Sequence, residues 1–158
     1  MKRLVAVLLA AVLMGAVLCA CGGSTEQKNV TVAQAWDKIK AEVTFESFDE
    51  FANINTLGRF YGITEDMAAE YAGGINNSGV NQEEVVLVKA KDDAGAVQIK
   101  KALDTRFASK LAQNQNYNAE QAKMIEGCKV EQNGMYITMI VSDNAERITQ
   151  IFKSELGL

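Results

Sequence analysis

The sequence predicts an α+β domain in which helices pack on a small antiparallel sheet. Residues 84–91 (EVVLVKAK) are short and rich in β-branched side chains, which indicates a strand. Asn133-Gly134 separates the alternating runs 128–132 and 135–142, and Asn-Gly between such runs favours a two-residue hairpin turn. Apolar residues elsewhere recur at helical spacing, so the predicted order is α-α-α-β-α-β-β-α.

Capping patterns place several helices. Thr31 and Gln34 form a capping box that begins the first helix. A long helix is expected from Asp92 or Asp93 to about residue 113, followed by a short helical segment over 119–126. A second capping box, Asp143 with Glu146, predicts the start of the C-terminal helix.

The region between residues 46 and 79 is expected to contain two more helices. The first covers 46–57, with acidic residues in its opening turn. The second covers 65–71, with Thr64 as its N-cap and Gly73-Gly74 at its end. An additional strand over 74–79 is the alternative for the last part of this region.

The predicted hairpin also sets a register. A loop formed by Asn133 and Gly134 pairs Val130 with Ile137 and Glu131 with Tyr136. Val130 and Ile137 then lie on the face that we expect to be in the core.

The other face of the sheet is also apolar, which leaves two interpretations. The residues that carry it are Val85 and Leu87 on one strand and Tyr136 and Ile140 on another. Either the N-terminal helices cover this face, or it is a surface for a protein partner.

The N-terminus has the pattern of a bacterial lipoprotein signal. Lys2 and Arg3 precede an uncharged apolar run, which ends in the lipobox Leu18-Cys19-Ala20-Cys21. We expect residues 1–20 to be removed as a signal peptide and Cys21 to be lipidated. The competing interpretation is an uncleaved membrane anchor or an ordinary signal peptide. In the favoured division, residues 21–30 are the lipidated cysteine and a flexible tether, and 31–158 are one domain.

The charge of the processed chain restricts its partners. Loss of Lys2 and Arg3 changes the formal charge from −4 to −6. An acidic surface argues against nucleic acid, and also against electrostatic attachment to anionic lipid. The lipid on Cys21 is therefore expected to hold the protein at the extracytoplasmic face of the cell membrane.

The residue inventory predicts that the protein is not an enzyme and uses no metal or cofactor. There is no histidine in the chain, which removes imidazole-based nucleophilic and acid–base catalysis. Cys128 is the single thiol expected after processing and lipidation. We interpret it as a small buried hydrophobe rather than a nucleophile.

The order of these segments resembles a domain-of-unknown-function family of small lipoproteins from Gram-positive, Clostridia-like bacteria. The resemblance rests on the lipoprotein signal, Phe60-Tyr61-Gly62-Ile63, Glu70-Tyr71, residues 84–91 and the late Asn-Gly hairpin. It covers the mature chain and implies a membrane-anchored location and a fold. It implies no site residues.

These observations predict a lipid-anchored, non-enzymatic module that binds a partner or ligand at the cell envelope. The alternative is an accessory subunit of an envelope complex for transport or wall assembly. A hydrolase that uses only carboxylates is a third hypothesis, and it requires two acids about 5–9.5 Å apart in a cleft.

Overall fold

The computed structural model describes residues 29–158, so the lipobox Leu18-Cys19-Ala20-Cys21 lies outside the described residues. The described residues form five helices and one five-stranded sheet. In chain order these are α1 (Val32–Glu42), β1 (Phe48–Glu50), α2 (Ile54–Tyr61), β2 (Ala68–Asn76), β3 (Glu84–Ala90), α3 (Asp93–Tyr117), α4 (Ala119–Glu126), β4 (Lys129–Asn133), β5 (Tyr136–Val141) and α5 (Ala145–Leu156).

The sheet is antiparallel throughout and has helices on both faces. Its strand order is β1-β2-β3-β5-β4. Side chains of β3 alternate between two apolar clusters, because successive residues of a strand point to opposite faces. One cluster packs under α2, α3 and α4, and the other under α1 and α5. The predicted α+β class is confirmed.

Two of the predicted helix caps are confirmed. Thr31 caps α1, with both hydrogen bonds of the capping box to Gln34 present. Asp92 caps α3 through the N–H of Gly95. The box predicted for α5 was wrong, because α5 begins after Asn144 and no side-chain hydrogen bond caps its described N-terminus.

Residues 46–76 differ from the prediction. Phe48–Glu50 is the edge strand β1, and the helix of this region starts only at Ile54, where Asn53 is the N-cap. After Thr64 the chain makes a single turn and then enters β2, so the predicted helix over 65–71 is absent from the described chain. Gly73-Gly74, expected to end that helix, lies inside β2.

The hairpin between β4 and β5 is confirmed, but its register was wrong. Its loop consists of Gly134 and Met135, so Glu131 pairs with Thr138 instead of Tyr136. Gly134 has φ +56°, whereas Asn133 is not at positive φ, which an Asn-Gly turn of type I′ would require. The register is displaced by two residues, and each side chain therefore stays on its predicted face.

We call the two ends of the domain the near end and the far end. At the near end the Val32 N–H, which begins α1, donates to the Glu70 carboxylate at 2.8 Å. At the far end, residues 77–83 connect β2 to β3. Glu70 and Asn76 are six residues apart on β2, which separates the two ends by about 20 Å. The chain therefore enters the domain at the end opposite residues 77–83.

Candidate functional site

The apolar face proposed as a partner surface is covered. Val85, Leu87 and Ile140 are buried in the cluster under α1 and α5. Tyr136 is half-buried, with its ring 6.1 Å from that of Phe152 on α5. Of the two interpretations, coverage is therefore correct, and the partner surface was wrong. The cover includes the C-terminal helix as well as the N-terminal one.

Cys128 lies in an environment that keeps its thiol protonated. It is half-buried beside the cluster under α3 and α4. Its Sγ donates to the Met124 carbonyl at 3.2 Å, with the Ser142 carbonyl 3.6 Å away. Burial raises the pKa of the thiol, and the charge of Asp143 adds to this, against the opposing contact with Ser142. A nucleophilic cysteine needs the opposite shift.

We therefore expect Cys128 to react slowly with iodoacetamide at pH 7.5. The rate should be at least about tenfold below that of free cysteine, because the thiolate is the reacting species and its fraction is reduced. Mass spectrometry of the intact protein over a time course measures this rate. Alkylation as fast as that of the free amino acid would contradict the buried-thiol interpretation.

The carboxyl groups of residues 29–158 were the candidates for a hydrolase that uses only carboxylates. The described residues contain no group of three side chains placed to hold a metal ion. Every carboxyl group with a resolved shift has a lowered pKa, whereas a glycosidase acid needs a raised one. These groups are Glu50, Asp66, Glu70, Glu84 and Glu131.

One of these acids, Glu131, lies in a groove of about 470 Å³ between β4 and α5. Glu131 in this groove lies 2.5 Å from the Lys129 ammonium and 2.8 Å from that of Lys153. These two lysines lower the pKa of the Glu131 carboxyl. Glu146 also lines the groove, but Glu131 beside it is unsuited to donate a proton at neutral pH.

The loop over residues 77–83 at the far end is built differently, because its own side chains bind its backbone. Asn76 accepts from the Ser78 N–H at 2.9 Å, and Ser78 Oγ accepts from the N–H groups of Val80 and Asn81 at 3.3 and 3.1 Å. Asn81 in turn accepts from the Glu83 N–H at 2.8 Å. Such bonds from short polar side chains to nearby backbone fix turns. The loop therefore has a defined conformation, with the Val80 side chain 68% exposed.

Two residues from distant parts of the chain form hydrogen bonds with the loop. Lys110 Nζ, on α3, donates to the Gln82 carbonyl at 3.0 Å and to its side-chain oxygen at 3.2 Å. Gln121, on α4, accepts from the Gln82 N–H at 2.7 Å. The loop is thus attached to both helices that follow β3.

A buried ion cluster lies directly under this attachment. The Glu84 carboxylate is fully buried and accepts from Arg106 Nε at 3.0 Å and Nη2 at 2.8 Å. Lys110 Nζ lies 2.9 Å from the same carboxylate. Burial would raise the pKa of Glu84, but the Arg106 hydrogen bonds and the charges of Lys110 and Arg106 outweigh it and hold the pKa below its usual value. The cluster braces β3 against α3.

The surface around the loop is poor in charge and rich in amides. Residues 71–82 and 111–119 contain no Asp, Glu, Lys or Arg, in a chain that is 23% charged. The contact between Gln82 and Gln121 brings the ends of these two segments together. Tyr117, at the end of α3, is 91% exposed. The repeated Asn and Gln residues were visible in the sequence, but their meeting at one end of the domain was not.

Comparison with known families adds one finding. The family described as a domain of unknown function, DUF4358, matches residues 41–142, which is more than half of the chain. No curated protein and no solved structure matches the chain.

Proposed function

We propose that this chain, which belongs to the DUF4358 family, is a lipid-anchored binding module of the Gram-positive cell envelope and not an enzyme. In this proposal residues 1–20 are removed, Cys21 carries the lipid, and the domain lies outside the cytoplasmic membrane. Within the described residues, none of the helices combines the length and the apolarity needed to cross a bilayer.

The position of the far-end loop is the observation that carries the proposal. The chain enters the domain at the near end, where α1 begins, so a lipid on Cys21 would hold this end closest to the membrane. The ordered loop 77–83 and the exposed Tyr117 lie at the opposite end of the sheet. A surface placed there lies opposite the point of attachment and is accessible to other components of the envelope.

The tether limits the distance at which such a module works. Residues 22–29 are small and polar, and eight residues reach at most about 26–29 Å. With about 20 Å between the near and far ends, the binding surface stays within a few nanometres of the membrane. Targets that lie at this depth in the envelope are therefore the relevant ones.

The anchor is tested by Cys21→Ala. We expect the variant to lose its lipid and to remain unprocessed or to be released into the medium, because lipid is the sole anchor proposed for this acidic chain. Membrane fractionation with mass spectrometry of the N-terminus measures both outcomes. Cys19→Ala is the matched control and should stay in the membrane. A Cys21→Ala protein that keeps its lipid would contradict the assignment.

The binding surface is tested by site-specific crosslinking in native membranes. A photoreactive amino acid at position 80 or 117, at the far end, should give adducts to envelope components. The same residue in place of Val97 should not, since Val97 is 66% exposed but lies in the first turns of α3, near the other end. Equal labelling from all three positions would refute a specific surface at the far end. One protein captured in equal amounts would favour the accessory-subunit alternative.

A further inference from the structure

We propose that the far-end surface, defined by the loop 77–83, residues 113–118 and the cleft that adjoins the loop, binds an uncharged glycan. Such a ligand has hydroxyl and acetamido groups along a neutral chain. This inference rests on the proposed function and names the ligand class for the same surface.

The absence of charge is the first argument. Residues 71–82 and 111–119 are uncharged in a domain whose formal charge is −6 after processing. An anionic polymer would be repelled by the acidic domain and would need exposed lysine or arginine at the contact. Two carboxylates that border this surface are already hydrogen-bonded within the domain: Glu83 accepts from Ser142 Oγ at 2.7 Å, and Glu126 accepts from the Gln115 amide at 3.1 Å. A surface poor in charge on a charged domain matches a neutral ligand.

The second argument is hydrogen-bonding chemistry. Asn and Gln side chains each carry two donors and an acceptor, and a sugar hydroxyl or acetamido group also both donates and accepts. Exposed amides at this end belong to Asn77, Gln113, Gln115 and Asn116. Three of them donate one N–H within the domain, Asn77 to Asp49, Gln115 to Glu126 and Asn116 to the Ala112 carbonyl, which leaves a second N–H and the oxygen of each for a ligand. The ring of Tyr117 beside them offers an apolar face for the C–H surface of a sugar.

A cleft continues this surface toward β1. It has a volume of about 360 Å³, and Asn76 and Asn77 at the start of the loop form part of its lining with Phe60. Three charged residues line it, and each has a partner within the domain. Asp49 accepts from the Asn77 amide at 2.8 Å, Glu50 pairs with the Lys40 ammonium at 2.9 Å, and the Arg59 guanidinium lies 4.6 Å from the centre of the Phe60 ring. The cleft thus combines an aromatic wall with amides, as a site for one sugar unit requires.

The fixed conformation of the loop favours a glycan ligand over a protein partner. The core of a protein interface is apolar, whereas the large apolar side chains exposed on this surface are only Val80, Tyr117 and, in the adjoining cleft, Phe60. Polar recognition of a flexible glycan depends instead on amides that are fixed before binding, because this reduces the entropic cost. The bonds from Asn77 to Asp49 and from Asn116 to the Ala112 carbonyl fix two of these amides, and the bonds of Ser78 and Lys110 fix the loop itself.

The test measures binding of the full chain, purified in detergent, to N-acetylglucosamine hexamer by saturation-transfer NMR. Maltohexaose is the probe without acetamido groups, and hexagalacturonic acid is the anionic probe. We expect the acetamido hexamer to bind, maltohexaose to bind more weakly, and the anionic hexamer not to bind. Tyr117→Ala should weaken binding of the acetamido hexamer about three- to tenfold, and Tyr117→Phe should restore it. Because Tyr117 is 91% exposed, neither change should alter the fold.

The other outcomes would overturn either the ligand class or the proposed function. Binding that is unchanged in Tyr117→Ala and in Asn77→Ala, as in the control Val97→Ala, would place the glycan elsewhere and overturn the inference. Failure of both neutral hexamers, while the crosslinks from positions 80 and 117 persist, would overturn the ligand class and leave the proposed function standing. Loss of those crosslinks would refute the proposed function itself.

Discussion

Replacing Glu84 with glutamine should lower the free energy of unfolding by about 3–5 kcal/mol, because it leaves two cations near each other without their counter-charge. Lys110 is only 5% exposed and lies 2.9 Å from the Glu84 carboxylate, and Arg106 makes two hydrogen bonds to it. Once the carboxylate is neutral, burial of Lys110 is no longer compensated and Arg106 repels it. Urea denaturation followed by Trp36 fluorescence measures the change.

Asp104→Asn is the matched control for this prediction. Asp104 also pairs with a lysine, Lys100, at 2.6 Å, but its side chain is half exposed. Exposed pairs of this kind contribute about 0.3–0.5 kcal/mol. Equal losses in the two variants would show that burial does not strengthen the Glu84 cluster.

The same cluster predicts how stability depends on pH. The pKa of Glu84 is below its ordinary value of 4.5 in the folded state, so the folded protein binds this proton less readily than the unfolded chain. Its stabilisation is therefore fully present above about pH 4.5 and is lost as the pH falls through the lower folded value. The difference between the wild type and Glu84→Gln should therefore shrink as the pH falls below about 4.5.

The elements that the sequence predicts best are those whose signals are local. The capping box of Thr31 and the N-cap of Asp92 depend on residues three positions apart, and both are present. Ala119–Glu126 also forms the expected helix. These signals do not depend on the rest of the fold.

The predictions failed where tertiary pairing decides the structure. Residues 65–71 have helical composition, but β3 is apolar on both faces and is buried, so it needs a strand on each side. β5 supplies one neighbour, and β2 supplies the other. The two-sided pattern of Val85–Val88 therefore contained a signal for a further strand, and that signal outweighs the helical propensity of residues 65–71.

The candidate surface was less predictable than the fold. The loop 77–83 is fixed by two residues distant in sequence, Lys110, 28 residues from Gln82, and Gln121, 39 residues away. The packing of α3 and α4 on the sheet brings both residues to the loop. The uncharged character of 71–82 and 111–119 is visible in the sequence, but only the fold brings them together.

The second large loss of stability is expected at Gly73, where β2 lies close to its neighbouring strand β3. Gly73→Ala should destabilise the domain by about 3–5 kcal/mol, through backbone strain and overpacking together. Gly73 has φ +119°, and a Cβ at this position would lie 1.9 Å from the Val85 carbonyl oxygen of the neighbouring strand. Relief would require β2 and β3 to separate, in the part of the sheet that leads into the loop 77–83. Thermal and urea unfolding measure the loss.

Variants at two other glycines distinguish backbone strain from overpacking as the cause of this effect. Gly79 also has positive φ, +78°, but a Cβ there meets nothing within 4 Å among the described residues, so Gly79→Ala should cost only the backbone strain of about 1–2 kcal/mol. Gly58 is helical, with its nearest contact at 3.6 Å, and Gly58→Ala should stabilise the protein by about 0.5–1 kcal/mol. If Gly73→Ala cost no more than Gly79→Ala, the strands would be free to separate there. The far-end loop would then lack the rigid support on which its role in binding depends.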